Sequence, residues 1–367
     1  MIGWLVVLVA AGDVDLSARA RIGVEHDTNA RRAVPALESE AVPSIGRPLA
    51  VVPDQALSGR LELGARWSAP EGRGAARLLL GSKRFIEEAE QDQVVLEGQL
   101  HHEWRLDRWR LSAFGSARTS RMRGGQRDYD LATGGLDVGF VARALSARVR
   151  GWLTAFEFAP EPRFDHWGPT LELEAGWRPL AGVDLSVRGA RQDRIYGGNA
   201  LVVGALEDGE GGTVPVLTFC DRPVTGLRCR SAPRRDEEWR AGLTLRYQAD
   251  WLGELSYGFR AQRSSSPVED VDRHRVVALL SVPLPWSMIG TARGALQYND
   301  GRSVADTLQL TEDDENLNVL QLQLERPLGG SVDLQVRYAL YASSFGGRAI
   351  DYRRQTVSIG AQVRAGP

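Results

Sequence analysis

Charge is the chemistry this sequence offers most of, and much of it recurs at every second residue. Of the 45 basic residues all but Lys83 are Arg, set against 47 carboxylates for a net charge of −2. Arg19 and Arg21 alternate with apolar neighbours, as do Arg60, Glu62 and Arg66, then Glu97, Glu103 and Arg105. Arg148 with Arg150 and Glu172 with Glu174 do the same, and Arg110, Arg188, Arg246, Arg260, Arg293 and Arg337 repeat the pattern singly. A guanidinium stays protonated in proteins and donates through a rigid fork, so a row of them forms a permanent surface for anions wherever it outnumbers its acids. Paired across neighbouring strands, the same residues only stiffen a wall.

Catalytic constellations are harder to find. His101 and His102 are the best candidates for acid–base work, but His102 shares a row with Leu100 and Trp104 and reads more simply as an interfacial histidine. Neither Gly-x-Ser-x-Gly nor His-Glu-x-x-His occurs, so no enzyme activity is expected. Cys220 and Cys229 are the only cysteines, close together in one polar stretch, and in an oxidising compartment they read as a disulfide closing a small loop. The histidines lie elsewhere, so the sequence predicts no metal and no cofactor. A near-neutral balance with no basic face argues against nucleic acid as a partner.

The elements that must carry these charges are strands. From Asp15 onward apolar and polar residues alternate in segments long enough for a tilted strand to cross a bilayer: Leu16, Ala18, Ala20, Ile22 and Val24 form one apolar row, and Ala241, Leu243, Leu245 and Tyr247 another. About sixteen such segments follow one another, all antiparallel. Connections after even-numbered strands are short, such as Asp107-Arg108 and Arg143-Ala144, whereas those after odd-numbered strands are mostly longer, the extremes being about 27–56 and 194–237. Trp67, Trp104, Trp109, Trp177, Trp251 and Trp286 fall beside the short connections, where a membrane interface would hold them. Residues 1–12 are apolar with small residues near their end and read as a signal peptide, with a buried first strand as the alternative; 13–367 would be the barrel.

A sheet in lipid must pair every backbone group, so these strands have to close on themselves. The pattern as a whole resembles the proteobacterial outer-membrane β-barrel class, especially porin-like barrels and those serving polysaccharide secretion. Gly23-Val24-Glu25-His26-Asp27-Thr28-Asn29 is similar to the aromatic-Asp-Ser-Asn segment opening many such barrels, with His26 and Thr28 in place of the aromatic and the Ser; Asp27 and Asn29 also read as a turn cap. The resemblance implies a Gram-negative outer membrane, an apolar row facing lipid and a charged row lining an aqueous bore. It implies outer-membrane lipid and lipopolysaccharide as partners, with periplasmic export or envelope machinery beside them. Acidic runs such as Glu87-Glu88-Ala89-Glu90 and Glu312-Asp313-Asp314-Glu315 would be solvated or bridged to lipopolysaccharide phosphates by divalent cations. The expected function is a channel or conduit passing small solutes or an exported polymer, anionic or polysaccharide, through the aqueous bore. The alternative is a plugged barrel acting as a scaffold of an adhesion or motility apparatus. The 194–237 loop, folded inward, would constrict the bore; folded outward, it would be a surface ligand.

Overall fold

Alternation at period two leaves each strand with one apolar and one charged face, and a strand so divided is stable only where its two faces meet different solvents. The computed structural model describes residues 14–30, 52–125, 128–160, 162–199, 201–207, 213–219, 233–265, 270–301, 318–345 and 348–366. Nine strands come first: β1 (Val14–Asp27), β2 (Asp54–Ala69), β3 (Gly72–Phe85), β4 (Gln93–Leu106), β5 (Trp109–Met122), β6 (Tyr129–Ala142), β7 (Leu145–Phe158), β8 (His166–Leu180) and β9 (Val183–Asn199). After the short β10 (Leu201–Glu207) and β11 (Thr213–Phe219) come β12 (Pro233–Gln248), β13 (Leu252–Ser264), β14 (Val271–Leu284), β15 (Met288–Gly301), β16 (Asn318–Gly329), β17 (Val332–Phe345) and β18 (Arg348–Ala365).

Sixteen of these close into one barrel. Each strand pairs antiparallel with its neighbour in sequence, β9 pairs with β12, and β18 returns to β1 along a register running from Ala18 opposite Ala365 to Asp27 opposite Thr356. Closure leaves no strand edge unpaired, which is the condition for a sheet to sit in hydrocarbon. β10 and β11 form a separate two-stranded sheet. β9 runs on to Asn199 and β12 begins at Pro233, so the connection expected at 194–237 is trimmed at both ends by barrel strand.

One rim carries tight turns. Several bend through left-handed backbone that glycine adopts without penalty, as at Gly182 and Gly330 (φ 78 and 52°), but Asp107 and Arg143 hold φ of 57 and 48° with a side chain present. The opposite rim carries the longer connections. Two of them contain a single 3-10 turn, Ala89–Gln91 and Pro162–Phe164.

Side chains on the two faces differ as the closed geometry demands, diverging outside and converging inside. Along β12 the outward Leu243 and Leu245 are 45% and 46% exposed, whereas Glu238 on the alternate row is 1% exposed. The irregular strand near Leu78 and Leu80 is β3, whose pattern is blurred because Leu79 and Gly81 stand on its inner row.

Candidate functional site

The inner row of the barrel is a lattice of arginines around a smaller number of carboxylates. On β12, Glu238 accepts from Arg194 of β9 at 2.9 Å, Arg260 of β13 at 2.5 Å and its strand neighbour Arg240. Asp236, one inward position nearer the long-loop rim, receives a two-pronged contact from Arg234 at 3.0 and 2.6 Å and a bond from Gln262 Nε2 at 3.2 Å. Glu103 is approached by Arg73 at 3.0 Å, Arg105 at 3.1 Å and Arg110 at 3.9 Å. Asp137 takes Arg148 at 2.5 Å and Arg150 at 3.7 Å, and Arg150 also reaches Glu172 at 3.8 Å. Glu62 binds Arg77 at 2.9 Å and Arg60 at 3.4 Å, while Glu97 accepts from Gln99.

Register explains why these hubs exist. Arg240, Arg260 and Arg273 stand directly opposite one another across β12, β13 and β14, Arg21 faces Arg60 across β1 and β2, and Arg105 faces Arg110 across β4 and β5. Like charges directly opposite destabilise a sheet, so a carboxylate such as Glu238 or Glu103 set beside them offsets part of the repulsion. The offset is incomplete. Arg19, Arg21, Arg66, Arg188, Arg246, Arg293 and Arg337, all on inner rows, make no ion pair or hydrogen bond among the described residues, and Glu174 likewise has no ion-pair partner among them.

All the arginines and glutamates singled out from the sequence therefore lie on one face of the sheet, some gathered in ion-paired clusters and others, mostly arginines, without a direct ion pair among the described residues. Sequence reasoning missed the hubs Asp137, Asp236 and Glu238. Parity was a usable signal for Asp137, between Leu136 and Val138, and for Glu238, beside Trp239, whereas Asp236 stands between the charged Arg235 and Glu237.

An aromatic patch on the same face was also missed. Tyr129, Phe156 and Phe158 point inward near the long-loop rim, and Phe164, from the connection after β7, packs on them to form a small buried cluster with Leu131 beside it. Asp165 fixes that connection by accepting from the backbone N–H of Phe158 at 2.6 Å. His166 lies 5.0 Å from both the Phe156 and Tyr196 rings, and the Arg234 guanidinium stands 4.4 Å from the Tyr196 ring.

At the seam, Asp27 is fully buried and accepts from Arg354 of β18 through both oxygens, at 2.6 to 3.0 Å, with Lys83 at 3.4 Å. Its Oδ1 also accepts from the backbone N–H of Asn29 at 3.0 Å, and Thr28 Oγ1 accepts from the backbone N–H of Gln355 at 2.9 Å. The Asp27-Thr28-Asn29 segment is thus a turn cap that ties the first strand to the last.

The outer face carries aromatics at two levels. Beside the tight turns, Trp67 Nε1 donates to His102 Nδ1 at 3.2 Å and the His102 ring meets Trp104 edge-on at 4.5 Å. Trp109 packs on Phe140 at 5.0 Å and Trp251 on Tyr247 at 4.5 Å; Trp177 and Trp286 are 51% and 76% exposed at the same rim. His102 is accordingly held as an aromatic-belt residue. At the other level, Trp167 and Trp239 face outward, with Phe259 packed on His274 just inside them. Trp239 and Tyr247 are eight residues apart on β12, about 20 Å along the barrel axis for a strand rising ~3.3 Å per residue at a ~40° tilt. Such spacing brackets an apolar band of membrane height.

No group of three or more His, Cys, Asp or Glu among the described residues could hold a metal ion. Cys220, Cys229, residues 1–12 and the run Glu312 to Glu315 lie outside the described residues.

A closed barrel with an apolar outer band between two aromatic girdles and a charged inner face defines an outer-membrane β-barrel, at home in the outer membrane of a Gram-negative bacterium. No family model and no curated protein matches the chain. Among solved structures it is similar to outer-membrane OmpT of Vibrio cholerae, at 10% identity and TM-score 0.47 over 98% of this chain and 99% of that one. It is also similar to OprB of Pseudomonas putida, at 9% identity and TM-score 0.49 over 96% and 94%, and to a bacterial polysaccharide outer membrane secretin, at 10% identity and TM-score 0.43 over 95% and 98%. At these identities the likeness concerns the fold.

Proposed function

We propose that the protein is a passive outer-membrane channel whose aqueous bore favours anions, passing small anionic solutes or an exported acidic polymer such as a polysaccharide. A barrel of sixteen strands is in the size range that leaves water in its lumen where a smaller one fills with side chains. The observation that carries the reading is the surplus of arginine on the inner row: one buried Glu238 serves three arginines, and others such as Arg21, Arg188, Arg293 and Arg337 make no direct ion pair among the described residues. Paired charges largely cancel at a distance, whereas isolated cations on a low-dielectric wall focus their field into the bore and lower the entry barrier for anions.

Reconstitution in planar bilayers tests this. The expected result is discrete conductance steps, with a reversal potential under a KCl gradient displaced toward the chloride equilibrium value. Replacing Arg21, Arg188, Arg293 and Arg337 together by Gln should bring that potential toward zero while the steps persist. Steps that already favour potassium contradict the anion preference. A silent bilayer favours the alternative, a surface scaffold with a plugged bore, for which Phe164 packed on the inner wall is the supporting observation.

A further inference from the structure

The outer face of β2 to β5 holds a recess that a uniform lipid-facing wall would lack. Its floor lies along a single rung of the sheet, where Ile22, Gly59, Ser82, Val94 and Arg121 stand opposite one another in turn across β1 to β5. Ile22 and Val94 are 60% and 48% exposed on the lipid-facing row, with Leu57 beside them, so the missing side chain of Gly59 and the short one of Ser82 leave a dent between apolar shoulders. A Cβ at Gly59 would meet only Ser82 Oγ, at 3.3 Å, which means the dent is bounded by small side chains and not by backbone. The cavity measures about 650 Å³, within the ~300–1,000 Å³ of sites that enclose small ligands.

Three arginines, Arg84, Arg121 and Arg123, line its end toward the long-loop rim. Two lie on the outward parity of β3 and β5 and the third just past the end of β5, so all three stand on the lipid side. Arg121 is held by Asp130 at 2.6 Å and by the Ser120 and Tyr129 carbonyls at 2.9 and 3.0 Å. Arg84 and Arg123 have no side-chain partner among the described residues. The nearest carboxylate lining the recess, Asp92, accepts from the backbone N–H of Phe85 at 2.8 Å. Other cations on this outer rim are neutralised within the protein, as where Arg263 pairs with Asp272 at 2.7 Å and Arg191 with Glu237 at 3.1 Å. Exposed arginine at the edge of the apolar band is placed to meet anionic headgroups, and the apolar dent beneath it opens toward the acyl chains.

We propose that this recess is a binding site for a phosphorylated, acylated glycolipid of the outer leaflet, with one acyl chain lying over Gly59 and Ser82 and a phosphate held between Arg84 and Arg123. The proposal rests on the membrane location and is independent of whether the bore conducts. It differs from cation bridging through acidic loops in using arginine directly, so binding should survive chelation of divalent cations.

The test uses the purified full-length barrel, stripped of lipid in detergent and titrated with bis-phosphorylated lipid A or with the same lipid after phosphatase treatment, bound lipid being counted by native mass spectrometry in the presence of EDTA. Expected is binding at least tenfold tighter for the phosphorylated form. A variant carrying Arg84→Gln and Arg123→Gln should lose that preference, and Gly59→Leu should weaken both forms by filling the dent. Equal binding of the two lipids by the unaltered protein overturns the proposal whatever the variants do, as does a double variant, folded by its heat-modifiable gel mobility, that keeps the full preference. Arg84→Lys with Arg123→Lys, which keeps the charge, should recover part of the affinity.

Discussion

Asp27 is a carboxylate whose partner lies at the far end of the chain. Fully buried and bonded to Arg354, it ties β1 to β18 at the long-loop end of the only barrel strand pair that joins the two ends of the chain. Removing one member of a buried pair leaves the other uncompensated, so Asp27→Ala should lower stability by about 3 kcal/mol, read as an earlier loss of the folded band in a heat-modifiability gel. Glu238→Gln should cost about as much for the same reason. It should also release the positive charge of Arg194, Arg240 and Arg260 into the bore, so that the chloride-to-potassium permeability ratio rises as stability falls. That opposite movement separates a wall whose charge governs ions from one whose charges only hold it together. Which face each arginine takes was legible from its parity with apolar neighbours. Which arginines are neutralised was not, because partners such as Arg194 and Glu238 are set by the pairing of β9 with β12 across a long connection, and no local pattern encodes that register.

A single strand already contains the contrast between lipid and water. On β12 Leu243 faces outward in mid-band and Thr244 inward, so arginine introduced at these adjacent positions meets different solvents. Leu243→Arg should destabilise the barrel by about 2–4 kcal/mol, the cost of a cation at the lipid midplane, whereas Thr244→Arg should change the urea midpoint little and alter ion selectivity instead. The strands, their order and the short turns were legible because alternation runs through most of the strands and turn residues recur at regular spacing. The inward aromatic patch of Tyr129, Phe156, Phe158 and Phe164 was not, since it places apolar residues on the polar row. Phe156-Glu157-Phe158 at the end of β7 and Tyr129-Asp130-Leu131 at the start of β6, where the apolar and charged rows exchange places, were the local signs of it.

For the whole molecule, the account reduces to a closed wall with one face in hydrocarbon and the other in water. Closure follows from backbone pairing, the lipid-facing band from exposed leucines between two aromatic girdles, and the proposed anion preference of the bore from arginines in excess of their partners. The most direct test is thiol labelling along β12: single cysteines at 240 through 245, with Cys220 and Cys229 changed to Ser, in barrels reconstituted into vesicles and probed with a membrane-impermeant, water-soluble maleimide. Labelling should alternate, with 240, 242 and 244 reacting and 241, 243 and 245 protected by lipid. Uniform labelling of both rows, or protection of the charged row while the apolar one reacts, would contradict it.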